Sequence, residues 1–266
     1  MYNPGLSESG NKAVMVEESE MAFAEMRYKS AILGKETEFL VILPDNPDGQ
    51  PWKVLYLLHG LSDDSSAWVR YTGLERYVRA GTHHLIVMPD AGKSFYTDMA
   101  RGEAYETFLT KELPEYIQRV FPISKKREDT FIAGLSMGGY GAFKLALKYP
   151  GQYAAAASFS GALDMVSLIG NMPEQSDGFS MIYGDLNALK GSQNDLFALL
   201  EQPFPVKPKL LQTCGTEDFL YQYNLAFRKV IETKDFDYQY IEKPGTHNWD
   251  FWDDSIRIAL DFFDII

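Results

Sequence analysis

The chain of 266 residues is 45% hydrophobic and 14% aromatic, enough for one sizeable core, which excludes global disorder. Its formal net charge of −12 repels nucleic-acid phosphates and anionic lipid headgroups, so neither nucleic acid nor membrane is expected as a partner. A lone cysteine, Cys214, excludes an intramolecular disulfide and a cysteine-rich metal site.

Residues 1–20 are polar and acidic, without the basic start or apolar centre of a secretory signal. They read as a flexible arm before a single domain over 21–266. No run reaches the ~20 apolar residues of a membrane span, and a cytoplasmic location is expected. Residues 24–33 and 36–43 read as two strands joined at Gly34-Lys35, an antiparallel pair at a sheet edge. Residues 54–58 and 85–88 are apolar on both faces, as central parallel strands must be. Phe108, Leu109, Leu113, Tyr116, Ile117 and Val120 form a helical stripe over 105–119. A strand over 130–135 leads into a helix over 138–149, further strands fall at 154–159, 209–214 and 238–241, and a last helix covers 249–262. This alternation predicts an α/β fold, a mainly parallel sheet flanked by helices. Residues 161–207 break the rhythm, with Met165, Leu168, Ile169, Met172, Phe179 and Met181 scattered among turn formers. A connection so long and so apolar predicts a small cap insertion over a site.

The chemistry concentrates in Gly134-Leu135-Ser136-Met137-Gly138, a G-x-S-x-G pentapeptide between an apolar strand and an amphipathic helix. A turn that tight needs small residues around the serine, and the helix start aims free N–H groups at it. Ser136 is the expected nucleophile, and the Met137 N–H an expected oxyanion donor. A serine hydroxyl needs a base. Of the four histidines, His83 and His84 precede a strand and His59 ends one, which leaves His247 on the loop after the final strand. The acid falls between them, after the strand that breaks at Gly215. Asp218 is the expected partner of His247; Glu217 is adjacent, and spacing does not separate the two. His59-Gly60-Leu61 follows an early strand, where the Leu61 N–H supplies the second oxyanion donor. Trp68, Phe95, Tyr96 and Trp249 are candidate substrate-pocket aromatics, with Trp252 nearby.

Together, Leu57-Leu58-His59-Gly60-Leu61, the stretch from Gly134 to Ala142, Gly215-Thr216-Glu217-Asp218-Phe219 and Gly245-Thr246-His247-Asn248-Trp249 resemble the esterase D family. The likeness runs from about Met21 to the C-terminus and is greatest to the small tributyrin and acetyl esterases and their feruloyl-esterase relatives. It implies an α/β-hydrolase fold and hydrolysis of short acyl, acetyl or cinnamoyl esters through an acyl-Ser136 intermediate, with no metal and no cofactor. S-formylglutathione hydrolases belong to the same family and are the alternative reading. They carry Gly-Leu-Thr-Cys at the oxyanion loop, where this chain reads Gly60-Leu61-Ser62-Asp63. Mycolyltransferases share the fold but are exported, and no export signal is read here. A homo-oligomer is left open.

Overall fold

The structure is a computed structural model that describes residues 22–44, 49–78 and 82–266. The arm expected at 1–20 lies outside the described residues. Eight strands form one sheet in the order β1-β2-β4-β3-β5-β6-β7-β8. β1 (Ala22–Lys29) pairs antiparallel with β2 (Glu36–Leu43), and β2 antiparallel with β4 (His84–Pro89). From β4 onward every pairing is parallel, through β3 (Lys53–Leu58), β5 (Thr130–Leu135), β6 (Ala155–Phe159), β7 (Lys209–Gly215) and β8 (Tyr238–Lys243). The order reverses direction at β3, so the crevice at the carboxyl ends of β3 and β5 is where this architecture binds ligands.

One expected strand is too long. The chain leaves β1 at Lys29 rather than residue 33, because the Glu112 carboxylate takes up the Ser30 hydroxyl (2.5 Å) and the N–H groups of Ala31 (2.7 Å) and Ile32 (3.1 Å). Those donors are lost to a β ladder, and residues 30–35 form a turn instead.

The alternation of each central strand sorts two cores. Val54, Tyr56 and Leu58 of β3 and Leu85 and Val87 of β4 face one side; Leu55 and Leu57, with Ile86 and Met88, face the other. The second side is covered by α1 (Ala67–Tyr71), α2 (Leu74–Tyr77) and, across the chain, the terminal helix Trp249–Phe262. The first side carries α3 (Tyr105–Thr107), which runs through a π-helical turn into α4 (Leu113–Val120), and α5 (Met137–Lys148).

Every residue of α5 from Met137 to Leu147 is buried, Lys144 included. A buried ammonium must be paired. Lys144 Nζ lies 3.0 Å from Glu106 Oε2, while Lys148 Nζ (2.6 Å) and the Tyr149 hydroxyl (2.7 Å) donate to Glu106 Oε1. Burial pushes Lys144 down to about 8. Burial would raise Glu106, but its cations and hydrogen bonds outweigh that and draw it down to about 2. Because the folded value lies below the ordinary 4.5, this stabilisation is complete above about pH 4.5 and is lost as pH falls through about 2. Glu106→Gln is therefore expected to cost about 3 kcal/mol at pH 7. Denaturant unfolding of both proteins between pH 6 and 2 should show that gap closing; a constant gap would mean Glu106 is not the ionised partner.

Residues 161–207 hold three further helices, α6 (Met165–Gly170), α7 (Ser176–Tyr183) and α8 (Leu196–Leu200). Within the expected cap insertion over 161–207, Met165, Leu168 and Ile169 pack into the main core. α7 differs: its Ile182 and Met181 carbonyls accept the N–H groups of Ala100 (2.9 Å) and Arg101 (2.8 Å), which fixes it beside the loop after β4. α9 (Tyr221–Ile231) follows β7, and α10 is the terminal helix Trp249–Phe262.

Candidate active site

Ser136 sits between β5 and α5 at φ 51°, ψ −114°, a left-handed position that costs a side-chain-bearing residue energy. The turn is held by the Ser136 N–H donating to Phe159 O (2.8 Å) and by the absence of a side chain at Gly138. A Cβ at Gly138 would lie 2.5 Å from Leu58 O and 2.7 Å from His59 O, so only glycine lets α5 approach the end of β3. The first α5 ladder bond is Tyr140 N–H to Ser136 O (3.1 Å). The Met137 N–H precedes it, so the helix leaves that donor for a ligand.

His247 follows β8, and its Nε2 lies 2.9 Å from Ser136 Oγ. Its Nδ1 lies 2.8 Å and 3.0 Å from the two Asp218 carboxylate oxygens. The Asp218 carboxylate is fully buried, and Oδ1 also accepts the Leu220 N–H at 2.8 Å. An ionised carboxylate in that place takes Nδ1–H and leaves Nε2 as acceptor for the serine proton. The Phe219 ring lies 4.5 Å from the imidazole and the Trp252 ring 4.8 Å, edge-on, so the imidazole is flanked by two aromatic rings.

The Asp218–Glu217 ambiguity resolves by geometry. Glu217 is exposed and points the other way: its carboxylate accepts the Gly245 N–H (2.5 Å), and its own N–H donates to Gly245 O (3.0 Å). The Gly245 N–H holds the Glu217 carboxyl below the usual carboxylate range. Glu217 thus pins the loop two residues before His247, a role that spacing alone did not reveal. Asn248 fixes the other flank, its side chain capping α10 through the Phe251 N–H at 3.1 Å.

At the end of β3, His59 is spoken for on both ring nitrogens. Nδ1–H donates to Gly60 O (2.7 Å), and Nε2 accepts the Ala91 N–H (3.0 Å). The imidazole is therefore a brace for the loop, and its Nε2, 3.4 Å from Asp90, keeps its lone pair for Ala91. Asp63 accepts the Gly60 N–H at 3.2 Å, so both backbone polar groups of Gly60, the residue before Leu61, are held. Cys214 is buried beside the acid turn, and burial pushes its thiol far up, which removes it as a nucleophile.

The candidate pocket aromatics divide. Phe95 lines an apolar cavity of about 450 Å³ together with Leu61, Met99, Phe179, Met181 and Ile182. Trp249 is half-buried, 5.0 Å from the exposed Tyr71 ring. Trp68 and Tyr96 are corrected: both are wholly buried, so neither touches substrate. The Trp68 indole N–H donates to Leu58 O (3.1 Å), and the Tyr96 hydroxyl to His59 O (2.7 Å). Each braces the Leu58–Gly60 backbone at the end of β3. Among the described residues no group of three or more His, Cys, Asp and Glu side chains is placed to hold a metal ion.

The acetyl esterase of Caldicellulosiruptor saccharolyticus is 36% identical over 265 residues, covering 91% of this chain and 98% of that protein. A fluorophosphonate-binding serine hydrolase of Staphylococcus aureus, solved with substrate bound, has a TM-score of 0.85 at 35% identity, over 91% of this chain and 98% of its own. The S-formylglutathione hydrolase of Staphylococcus aureus, solved as apoenzyme, has a TM-score of 0.83 at 35% identity, over 92% and 99%. The model of the Esterase family matches residues 30–263, which takes in the serine turn, the acid turn and the histidine loop alike. The chain therefore belongs to the Esterase family and is a serine carboxylic ester hydrolase of α/β-hydrolase fold.

Proposed function

We propose that the enzyme hydrolyses esters of short acyl groups, acetyl foremost, by two-step transfer through Ser136. The observation that carries this reading is the unbroken relay from buried Asp218 through His247 to Ser136, at 2.8 and 2.9 Å. His247 Nε2 takes the hydroxyl proton as Ser136 Oγ bonds to the carbonyl carbon. The N–H groups of Leu61 and Met137 hold the tetrahedral oxyanion. Collapse breaks the ester C–O bond, His247 returns the proton to the departing alcohol, and water repeats the sequence to free the acid. The acetyl esterase relative, matched along nearly its whole length, supports acetyl esters as the first substrate class. We also place the activity in the cytoplasm, supported by a cysteine count of one, with Cys214 buried. Among the described residues, no helix is long and apolar enough to cross a membrane.

Thioester hydrolysis is the second reading, supported by the S-formylglutathione hydrolase neighbour. Stoichiometric serine labelling by a fluorophosphonate, then comparison of kcat/KM on 4-nitrophenyl acetate, methyl ferulate and S-formylglutathione, tests both. The first reading expects the oxygen esters to lead by tenfold or more; a lead for the thioester reverses the order.

Acyl or alcohol selectivity belongs to the α7 side of the cavity. Phe179 stacks edge-on against Phe95 at 5.7 Å, and Met181 is exposed at the rim. Met172 does not line that cavity. Phe179→Ala and Met181→Ala are expected to raise KM for butyryl and feruloyl esters by about tenfold, the scale of lost apolar contact in a pocket. Acetyl-ester kcat should stay within about twofold. Met172→Ala should leave the ranking unchanged. Unaltered ranking in the first two variants would remove α7 from substrate selection.

A further inference from the structure

Two consecutive residues, Phe95 (φ 50°) and Tyr96 (φ 54°), stand in the left-handed region without being glycine. Such a pair persists only where surrounding contacts enforce it, and it serves function when the strain aims side chains. Here the two side chains go to different places. Phe95 enters the wall of the apolar cavity. Tyr96 turns inward, and its hydroxyl donates to His59 O, the carbonyl one peptide before Gly60. What enforces the turn is on α5, two helical turns beyond Ser136. Lys144 Nζ donates to Tyr96 O (2.8 Å) and to Thr97 Oγ1 (2.7 Å), with Asn194 Oδ1 at 3.4 Å. α5 also makes room for the ring: a Cβ at Gly141 would lie 2.4 Å from it.

We propose that Lys144 is a positioning residue for the oxyanion loop, clamping the Phe95–Tyr96 turn so that Tyr96 fixes the His59 carbonyl and the peptide presenting the Leu61 N–H. This rests on the reading of Leu61 as an oxyanion donor. The same helix then delivers both halves of the hole: its first turn supplies the Met137 N–H, and Lys144 sets the loop that supplies the other. Glu106 is the counter-ion of the clamp rather than part of it, because the bonds to Tyr96 O and Thr97 Oγ1 do not pass through the carboxylate. An oxyanion donor stabilises charge that develops only in the transition state, so misplacing it lowers kcat and spares KM.

The experiment compares Lys144→Met, Tyr96→Phe and Glu106→Gln with wild type on 4-nitrophenyl acetate, with circular dichroism confirming the fold of each. Displacing one donor by about an ångström costs up to ~10² in rate, and deleting it outright ~10²–10³. Lys144→Met should lower kcat by roughly 10² and Tyr96→Phe by roughly tenfold, each with KM within threefold. The rate of fluorophosphonate labelling of Ser136 should fall in proportion, since that adduct also develops charge on oxygen. Glu106→Gln, though less stable, should keep kcat within threefold. If Lys144→Met does not fold, Tyr96→Phe decides alone, as it removes only one hydroxyl. The proposal fails if Tyr96→Phe, or folded Lys144→Met, keeps kcat within threefold, or if Glu106→Gln loses as much as Lys144→Met. Loss of wild-type turnover in Ser136→Ala tests the serine-nucleophile reading separately, so a failed clamp is distinguishable from a failed esterase assignment.

Discussion

Ser136→Ala is expected to lower turnover of 4-nitrophenyl acetate by about 10⁴–10⁶ while the protein still unfolds cooperatively. The magnitude follows from what survives. Alanine keeps the Ser136 N–H bond to Phe159 O and the Gly138 contact, so the turn and the proposed oxyanion donors are expected to stay in place. Substrate still binds and its carbonyl is still polarised, which leaves a small residual rate over water. The covalent step is gone, along with the hydroxyl that lies 2.9 Å from His247 Nε2. Retention of a tenth of wild-type turnover would move the nucleophile elsewhere. Fluorophosphonate labelling should vanish in the same variant.

Asp218→Asn should cost up to about 10⁴ in kcat, whereas Glu217→Gln should cost less than about fivefold. Asp218 Oδ1 already accepts the Leu220 N–H, so an asparagine there places its oxygen on Leu220 and turns its NH₂ toward His247 Nδ1. The imidazole then carries its proton on Nε2, facing Ser136, where a lone pair is required. The imidazolium formed during the reaction also loses its buried counter-charge. In Glu217→Gln the amide oxygen can still accept the Gly245 N–H, so the histidine loop keeps its anchor. Reversed magnitudes would reassign the acid to Glu217. Steady-state kinetics on both variants at pH 8 is sufficient.

The strands and the catalytic turns were legible because each has a local cause. Residues 54–58 and 130–135 are apolar on both faces, and an uninterrupted apolar run has few alternatives to a central strand. The serine turn, the acid after Gly215 and the late histidine are likewise short-range patterns. What escaped depends on partners far along the chain. The end of β1 is decided by Glu112, some 80 positions away, while Ala31, Ile32 and Leu33 read as more strand. α9 was missed because Gln222, Asn224, Arg228 and Lys229 dilute its apolar stripe, although Phe227 and Ile231 are fully buried. Trp68 and Tyr96 look like pocket aromatics in sequence, and only the packed structure turns their polar ends to the backbone at Leu58 and His59. Lys144 did leave a signal. Ala142, Phe143, Leu145 and Ala146 surround it on a helix with no polar face, so its charge had to be answered from within.

Because the sheet is parallel from β4 to β8, strands there meet only after long crossovers, and Ser136 and His247 stand 111 positions apart. A ribosome adding about 5–20 residues per second makes the serine roughly 6–22 s before the histidine. Throughout that interval the chain carries the serine without His247. An unassisted serine hydroxyl is a weak nucleophile, so the growing polypeptide is chemically quiet toward the acyl compounds around it. Reactivity waits for edge strand β8 and the loop behind it, so catalytic competence is acquired only after that strand has been made and paired.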